Sequence, residues 1–262
     1  MIRMGEPELL FETDGPLAFV TFNRPEARNA MTWAMYDGLV GACERVDADP
    51  ELRVLILRGA GGKAFVAGTD IGQFQSFRAP EDAIDYERRL DRVMDRLEAV
   101  TRPTIAAIEG YAVGGGAAIA LACDLRYCTP PSRIGVPIAR TLGNCLSMAN
   151  CARVVDLVGP ARAKELLLRA RLVEAEESRQ IGLVNEVVPA GALHERVREV
   201  ALEMAANAPL TLRVSKEEIR RLQAHRHPPD ADDLVVQAYM SEDFREGVAA
   251  FLEKRKPVFR GR

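Results

Sequence analysis

A chain of 262 residues, 48% hydrophobic and 28% charged, has the length and composition of a globular protein with one large core, or with a core and a smaller helical appendage. Its net charge of −3 and isoelectric point near 5.8 argue against nucleic acid as a partner. The opening residues, MIRMGEPELL, lack the apolar core of a signal peptide, and the weakly polar run 105–123 is interrupted by Glu109 and four glycines. Five cysteines without CxxC spacing favour reduced thiols, so we expect a cytoplasmic protein with no membrane partner.

The first predicted elements are two strands, 9–12 and 17–22, and Asp14-Gly15 between them is a hairpin signal. Thr32 is positioned to cap the helix that follows. The apolar run RVLILR at 53–58 then predicts a strand.

A long helix is predicted from about residue 81 to residue 100, because its apolar residues approximate helical spacing. Its acidic residues are predicted to form a solvated face: Glu81, Asp82, Asp85 and Glu87. Strands at 104–108 and 125–128 follow, with a glycine loop and a short helix between them. Beyond residue 188 the pattern is almost entirely helical, so the chain reads as repeated strand–loop–helix units with mainly parallel pairing.

Two loops, AFVAGTD at 64–70 and YAVGGG at 111–116, each end a strand, carry glycine and open a helix. The first backbone N–H groups of a helix lack partners within it, and glycine lets a ligand oxygen approach them closely. Two such loops that converge would hold one oxygen between two donors, as an oxyanion hole does. The alternative is that the glycines only make tight turns. Neither loop matches a phosphate-binding fingerprint.

Six stretches resemble the crotonase, or enoyl-CoA hydratase/isomerase, superfamily over nearly the whole chain. They are NRPEARNAMT (23–32), KAFVAGTDI (63–71), EGYAVGGG (109–116), ACDLRY (122–127), GLVNEVVP (182–189) and EGVAAFLEKRKPVF (246–259).

The resemblance implies an α/β fold, a crotonase-like spiral of ββα units. Residues 1–195 would form the core with the coenzyme A thioester site, and residues 196–262 a helical region that builds a homotrimer or a dimer of trimers. The substrate would be an acyl-CoA, with coenzyme A as part of the substrate and no other cofactor. No metal is expected, because the three histidines, His194, His225 and His227, lack metal-binding spacing and are predicted to lie on the surface.

The resemblance also implies the site residues. The backbone N–H groups of Ala67 and Gly115 would hold the thioester oxygen. Arg28, Phe251 and Lys254 would lie near the nucleotide of coenzyme A. For Lys254, the alternative interpretation is that it belongs to a cluster of charged residues on the surface. The remaining positions expected to contact substrate are Ala30, Gly68, Thr69, Asp70, Gly114, Ala118, Ile138, Arg140 and Asn144. For Asp70, capping a helix is the competing role.

The chain departs from the hydratase pattern at both catalytic glutamates, whose positions hold Ala118 and Ile138. Neither side chain carries a proton. We therefore expect an enzyme that processes an acyl-CoA through an enolate and is not an efficient hydratase. The alternatives are a hydratase or isomerase with relocated acid and base groups, and a non-catalytic acyl-CoA binding protein.

The polar loop at 139–145 is where we expect a catalytic group that would replace the two glutamates. Cys145 follows Gly143-Asn144 at a predicted helix N-terminus, where a thiolate is favoured. LGNC also resembles the IGND stretch of the chlorobenzoyl-CoA dehalogenase branch, whose aspartate attacks the substrate. The competing role is a buried packing residue. Asn144 could orient substrate or water, and Arg140 could pair with an acyl carboxylate.

Overall fold

The computed structural model describes residues 7–226 and 232–261, which form two β-sheets surrounded by helices. The strands are β1 (Leu9–Asp14), β2 (Leu17–Phe22), β3 (Val54–Gly59), β4 (Ala64–Val66), β5 (Thr104–Ile108), β6 (Tyr111–Val113), β7 (Leu125–Cys128), β8 (Arg133–Gly135), β9 (Val173–Glu174) and β10 (Glu186–Val187). The α-helices are α1 (Trp33–Ala48), α2 (Pro80–Glu98), α3 (Gly115–Ala122), α4 (Ile138–Thr141), α5 (Met148–Leu168), α6 (Ala175–Gln180), α7 (Leu193–Ala206), α8 (Pro209–Arg226), α9 (Asp232–Tyr239) and α10 (Glu242–Leu252). Short 3₁₀ helices occupy Pro25–Ala27 and Ile71–Ser76.

The larger sheet has the strand order β1-β2-β3-β5-β7-β10. Only the β1–β2 pair is antiparallel, and the turn at Gly15 confirms the predicted hairpin. The other strands of this sheet are parallel and largely apolar, as expected of strands covered on both faces. The smaller sheet has the order β4-β6-β8-β9, with β9 antiparallel to β8.

A repeated unit generates both sheets. β3 lies in the larger sheet, β4 in the smaller one, and α2 follows; β5, β6 and α3 repeat this order, and β7, β8 and α4 repeat it again. Each repeat thus adds one parallel strand to each sheet. The predicted spiral of ββα units is confirmed, and helices dominate the chain after β10, as predicted.

The core lies on both faces of the larger sheet. One face packs against α1, α2 and α3, around fully buried side chains such as Tyr36 and Phe22. The other face is covered by α7, whose Leu193 and Val197 belong to a cluster with Val54. The predicted boundary between residues 195 and 196 falls inside this helix. No helix in the described ranges is both long and apolar enough to cross a membrane.

Two charged residues at β7 hold neighbouring elements together. Asp124 accepts hydrogen bonds from the N–H and hydroxyl of Thr104, and Lys216 of α8 binds the same carboxylate at 2.7 Å. The buried Arg126 guanidinium donates to backbone carbonyls, including that of Leu183 at 2.9 Å. These contacts are structural.

Candidate active site

The two glycine loops leave adjacent parallel strands. β4 and β6 pair with Ala64 opposite Tyr111 and Val66 opposite Ala112, so their carboxyl ends lie side by side. A Cβ atom built on Gly115 would lie 3.7 Å from the Thr69 nitrogen. The loops therefore meet at the start of α3.

Ala67 does not supply a free donor, contrary to our expectation. Its N–H donates to the carbonyl of Arg28 at 3.1 Å. The N–H of Thr69, two residues later, donates no hydrogen bond to any described residue. The reason is the parallel bridge between Met31 and Thr69: the Met31 N–H donates to the Gly68 carbonyl at 2.9 Å, and the Asp70 N–H donates to the Met31 carbonyl at 3.0 Å. Because the C=O and N–H of one trans peptide group point in opposite directions, the Thr69 N–H faces away from Met31.

The second free N–H belongs to Gly115, as predicted for its position at the first turn of α3. Gly114 donates to the carbonyl of Gly135 at 3.0 Å, whereas the Gly115 N–H donates to no residue in the described ranges. A Cβ on Gly115 would come within 2.5 Å of the Tyr36 hydroxyl, and one on Gly116 within 2.0 Å of the Val66 carbonyl oxygen. The bare backbone is therefore required by close packing as well as by access to the donors.

A cavity of about 490 Å³ opens in front of these two donors. Most of the predicted site residues line this cavity: Arg28, Ala30, Ala67, Gly68, Thr69, Asp70, Gly114, Gly115, Ala118, Ile138, Asn144, Cys145 and Phe251.

Two of the predicted site residues do not line this cavity. Arg140 lies on α4 with an exposed side chain, so the prediction that it faces the acyl group is wrong. Lys254 follows α10, is exposed and has a left-handed backbone (φ 56°). Its expected role near the nucleotide of coenzyme A stays a prediction.

Asp70 caps the 3₁₀ helix that follows it, since its carboxylate accepts from the Gly72 N–H at 3.1 Å. It also pairs with Arg24 at 3.4 Å. His194 is largely exposed and lies beside Glu109, at 3.4 Å. The side chain of His225, and His227 altogether, lie outside the described residues.

Cys145 is not an activated thiol. It lies in the loop before α5, which begins only at Met148 and is capped by Ser147. Burial, together with the nearby Glu87 carboxylate, raises the pKa of the Cys145 thiol to about 12. The predicted thiolate is therefore contradicted, and the competing role as a packing residue fits better.

The prediction for Glu87 is wrong. We expected it on the solvated face of α2, but it is 6% exposed and lines the cavity. Burial is the main cause that raises its pKa to about 7, and it outweighs the hydrogen bonds from the Tyr239 hydroxyl and the Ser147 N–H, which favour the carboxylate. The signal was present: Glu87 is three residues from both Ile84 and Leu90, on the apolar stripe of the helix.

A chain of hydrogen bonds fixes the Glu87 carboxylate. The Tyr239 hydroxyl of α9 donates to Glu87 Oε1, and the Asn144 amide donates to the Tyr239 oxygen at 3.0 Å. Next to this chain, the Ser147 hydroxyl donates to Asp91 at 2.6 Å. Three elements, α2, α9 and the loop before α5, thus hold one carboxylate at the cavity wall.

The raised pKa of Glu87 predicts a pH-dependent stability difference. Because the folded state binds the Glu87 proton more tightly than the unfolded state, wild type should lose stability relative to Glu87→Gln as pH rises from 4.5 to 7, by up to about 3 kcal/mol. Above pH 7 the difference should be constant. Urea unfolding of both proteins at several pH values measures it, with Glu81→Gln, exposed on the same helix, as the control. A difference that does not vary with pH would contradict the buried, proton-holding carboxyl.

The chain matches the Enoyl-CoA hydratase/isomerase family over residues 12–262. The Short-chain-enoyl-CoA hydratase of Clostridium acetobutylicum is 35% identical over 254 residues, which cover 95% of each chain. A solved enoyl-CoA hydratase/carnithine racemase from Magnetospirillum magneticum is 37% identical, with a TM-score of 0.80 over 98% of this chain and 97% of the other. A methylmalonyl-CoA decarboxylase in complex with 2-nitronate-propionyl-CoA is 29% identical, with a TM-score of 0.89 over 98% of this chain and all of the other. The chain therefore belongs to the enoyl-CoA hydratase/isomerase family.

Proposed function

We propose that this protein acts on an acyl-CoA thioester and stabilises the enolate form of its acyl group. The observation that carries the proposal is the pair of N–H groups, of Thr69 and Gly115, that no described residue engages and that meet at one wall of the cavity. The likeness to a decarboxylase bound to a nitronate analogue of propionyl-CoA supports the substrate class.

Removal of a proton from C2, or attack at C3, places negative charge on the thioester oxygen. Two fixed donors in a cavity with little water stabilise this charge more than water does, because they need no reorganisation. The start of α3 adds the positive end of its dipole. The Tyr36 hydroxyl bonds to Thr69 Oγ1 at 2.8 Å and so fixes the loop that carries one of the donors.

The acyl group of the substrate is proposed to be largely apolar. Phe74, Leu90 and Leu142 line the cavity. Ala118 and Ile138 also line it, and by the family resemblance they stand where the hydratase pattern has glutamates. Water addition needs one group to activate water and another to protonate C2, and neither of these two side chains does either. We therefore propose that the protein is not an efficient hydratase, although the relative from Clostridium acetobutylicum is named one.

A second candidate function is isomerisation with a relocated proton-transfer group. The buried carboxyl of Glu87 at the cavity wall favours it over a non-catalytic acyl-CoA binding protein. Turnover of any member of an acyl-CoA panel excludes the binding protein.

Calorimetry tests the proposed thioester site directly. Butyryl-CoA should bind more tightly than S-butyl-CoA, a thioether with the same chain and no carbonyl oxygen. Two hydrogen bonds of about 1 kcal/mol each predict a difference of roughly 10- to 30-fold in Kd. Equal affinities would overturn the oxyanion assignment, and no binding of either compound would overturn the substrate class.

We also propose that α8 takes part in assembly with further copies of the chain, as a trimer or a dimer of trimers. Several of its apolar side chains are exposed in the single chain: Leu210, Val214, Ile219 and Leu222. An exposed apolar surface of this kind is typical of a subunit interface.

Charged residues on α8 should break this assembly. Ile219→Lys combined with Leu222→Lys should give a monomer in light scattering, because two charges would be buried without partners in the interface. Glu44→Lys, exposed on α1, is the control and should leave the assembly intact. A monomeric wild type would contradict the proposal.

A further inference from the structure

We propose that Glu87 is a catalytic residue that takes a proton from the acyl chain and returns it to another carbon of the same chain. This inference rests on the proposed acyl-CoA function and names the group that performs its proton transfer. Its basis is the position of the carboxyl: it lies on α2, which packs against α3, and lines the cavity that also contains Thr69, Gly115 and Ala118.

Other ionisable groups at the cavity are poorly suited to proton transfer. The Asp70 carboxylate is occupied by the Gly72 N–H and by Arg24, and Arg28 lies over the Tyr111 ring, 5.8 Å from its centroid. Burial raises the pKa of the Cys145 thiol to about 12. The phenols of Tyr86 and Tyr239 have pKa values well above their ordinary value, again because of burial. By contrast, the Glu87 carboxyl forms no ion pair within the described ranges, and burial raises its pKa to about 7.

The surroundings of Glu87 also hold it in place. Tyr239 donates to Oε1, and Asn144 fixes Tyr239 in turn, so the orientation of the carboxylate is set from α9 and from the loop before α5. Glu87 forms no ion pair with any basic side chain in the described ranges. No basic side chain in the described ranges therefore competes with a substrate for this carboxyl.

Two other titratable groups face Glu87, from α1 and from α2 itself. Tyr36 faces it from α1, and burial raises the pKa of that phenol well above its ordinary value. On α2 itself, Asp91 has a raised pKa because it is largely buried, and the Arg153 guanidinium of α5 acts against this rise.

A single proton carrier suits a double-bond shift better than hydration. With a 3-enoyl thioester, the Glu87 carboxylate takes a proton from C2, and the electron pair of the broken C–H bond moves into the C1–C2 bond. The C=O electrons move to the thioester oxygen, which the N–H groups of Thr69 and Gly115 hold. When the carbonyl re-forms, the C2–C3 double bond appears, and the former C3–C4 electrons take the proton from Glu87 at C4. The product is the conjugated 2-enoyl thioester, no atom is gained or lost, and no second reactant is needed.

The test uses the intact protein with trans-3-hexenoyl-CoA and follows the ultraviolet absorbance of the conjugated product. Glu87→Gln should lower kcat/KM by about 10²- to 10⁴-fold, the usual contribution of a positioned proton-transfer group. The same variant should bind butyryl-CoA within about threefold of wild type, since glutamine keeps the size and the hydrogen bond from Tyr239. Glu81→Gln, exposed on the same helix, should leave both quantities unchanged.

Two further measurements distinguish a catalytic role of Glu87 from a purely structural one. In D₂O, wild type should place deuterium in the product through exchange of the Glu87 proton, and Glu87→Gln should not. The wild-type kcat/KM should rise with pH and level off above about 7, because the base must be deprotonated.

Failure of this inference differs from failure of the proposed function. If wild type binds butyryl-CoA more tightly than the thioether but neither shifts the double bond nor exchanges deuterium, Glu87 is not a proton carrier. The same conclusion follows if Glu87→Gln retains wild-type kcat/KM. If no acyl-CoA binds, the proposed function fails, and the role of Glu87 falls with it.

Discussion

Crotonyl-CoA should be hydrated at least about 100-fold more slowly by this protein than by the same protein with two glutamates introduced, Ala118→Glu with Ile138→Glu. Each positioned acid or base contributes about 10²- to 10⁴-fold to a proton transfer, and the wild-type cavity has an alanine and an isoleucine at these positions. The measurement is the loss of enoyl absorbance on addition of water.

The matched control is the double variant Ala118→Gln with Ile138→Gln, which has the same size and polarity without a titratable proton. It should stay as slow as wild type. Thermal unfolding of each variant checks that a polar residue at the buried position 118 has not unfolded the protein. Efficient hydration by the wild-type protein would show that its acid and base lie elsewhere in the cavity.

The second large effect is expected at Gly115. A methyl group there would lie 2.5 Å from the Tyr36 hydroxyl and 2.8 Å from Thr69 Oγ1, so the loop carrying the Thr69 N–H must move. Loss of one oxyanion donor typically lowers the rate by about 10²- to 10³-fold, and Gly115→Ala should lower kcat/KM for any substrate by this order. The affinity for S-butyl-CoA, which has no carbonyl oxygen, should change far less.

Gly41→Ala on α1 is the control for Gly115→Ala, because a Cβ atom at position 41 meets no other atom within 4 Å. It should leave kcat/KM unchanged. A Gly115→Ala variant that keeps wild-type kcat/KM for acyl-CoA substrates would remove this N–H from the site.

The fold was predictable because its signals are local and repeated. The hairpin at Gly15, the Thr32 cap of α1 and the apolar runs of β3 and β5 each fix one element without reference to the rest of the chain. The repeated order of strands and helices then implies parallel pairing, which both sheets show. The ββα repeat came from the family resemblance, because the short strands β4, β6 and β8 have little pattern of their own.

The sequence predicted which loops line the cavity, but not which of their N–H groups are free. The sequence indicates that residues 64–70 line an oxyanion site, but which N–H is free depends on a bridge to Met31, a residue distant in sequence. The same limit applies to Cys145, since the start of α5 three residues later decides its environment.

Glu87 is a different case, because its sequence pattern held the answer. A charged residue on the apolar stripe of α2 was assigned to the solvated face by its residue type rather than by its position. Position in the helical repeat was the better guide here. An acidic residue that the periodicity places inward deserves to be tested as a functional residue.

The parallel pairing of β4 with β6 has a consequence for how such a protein can change over evolutionary time. The spacing of the two proposed donors is set by main-chain hydrogen bonds between strands, and both donors are themselves main-chain groups. Most substitutions of nearby side chains therefore leave this apparatus unaltered. Acidic and basic side chains can be lost from one wall of the cavity and gained on another. The fold can therefore acquire a new reaction through intermediate sequences that all still bind the thioester oxygen.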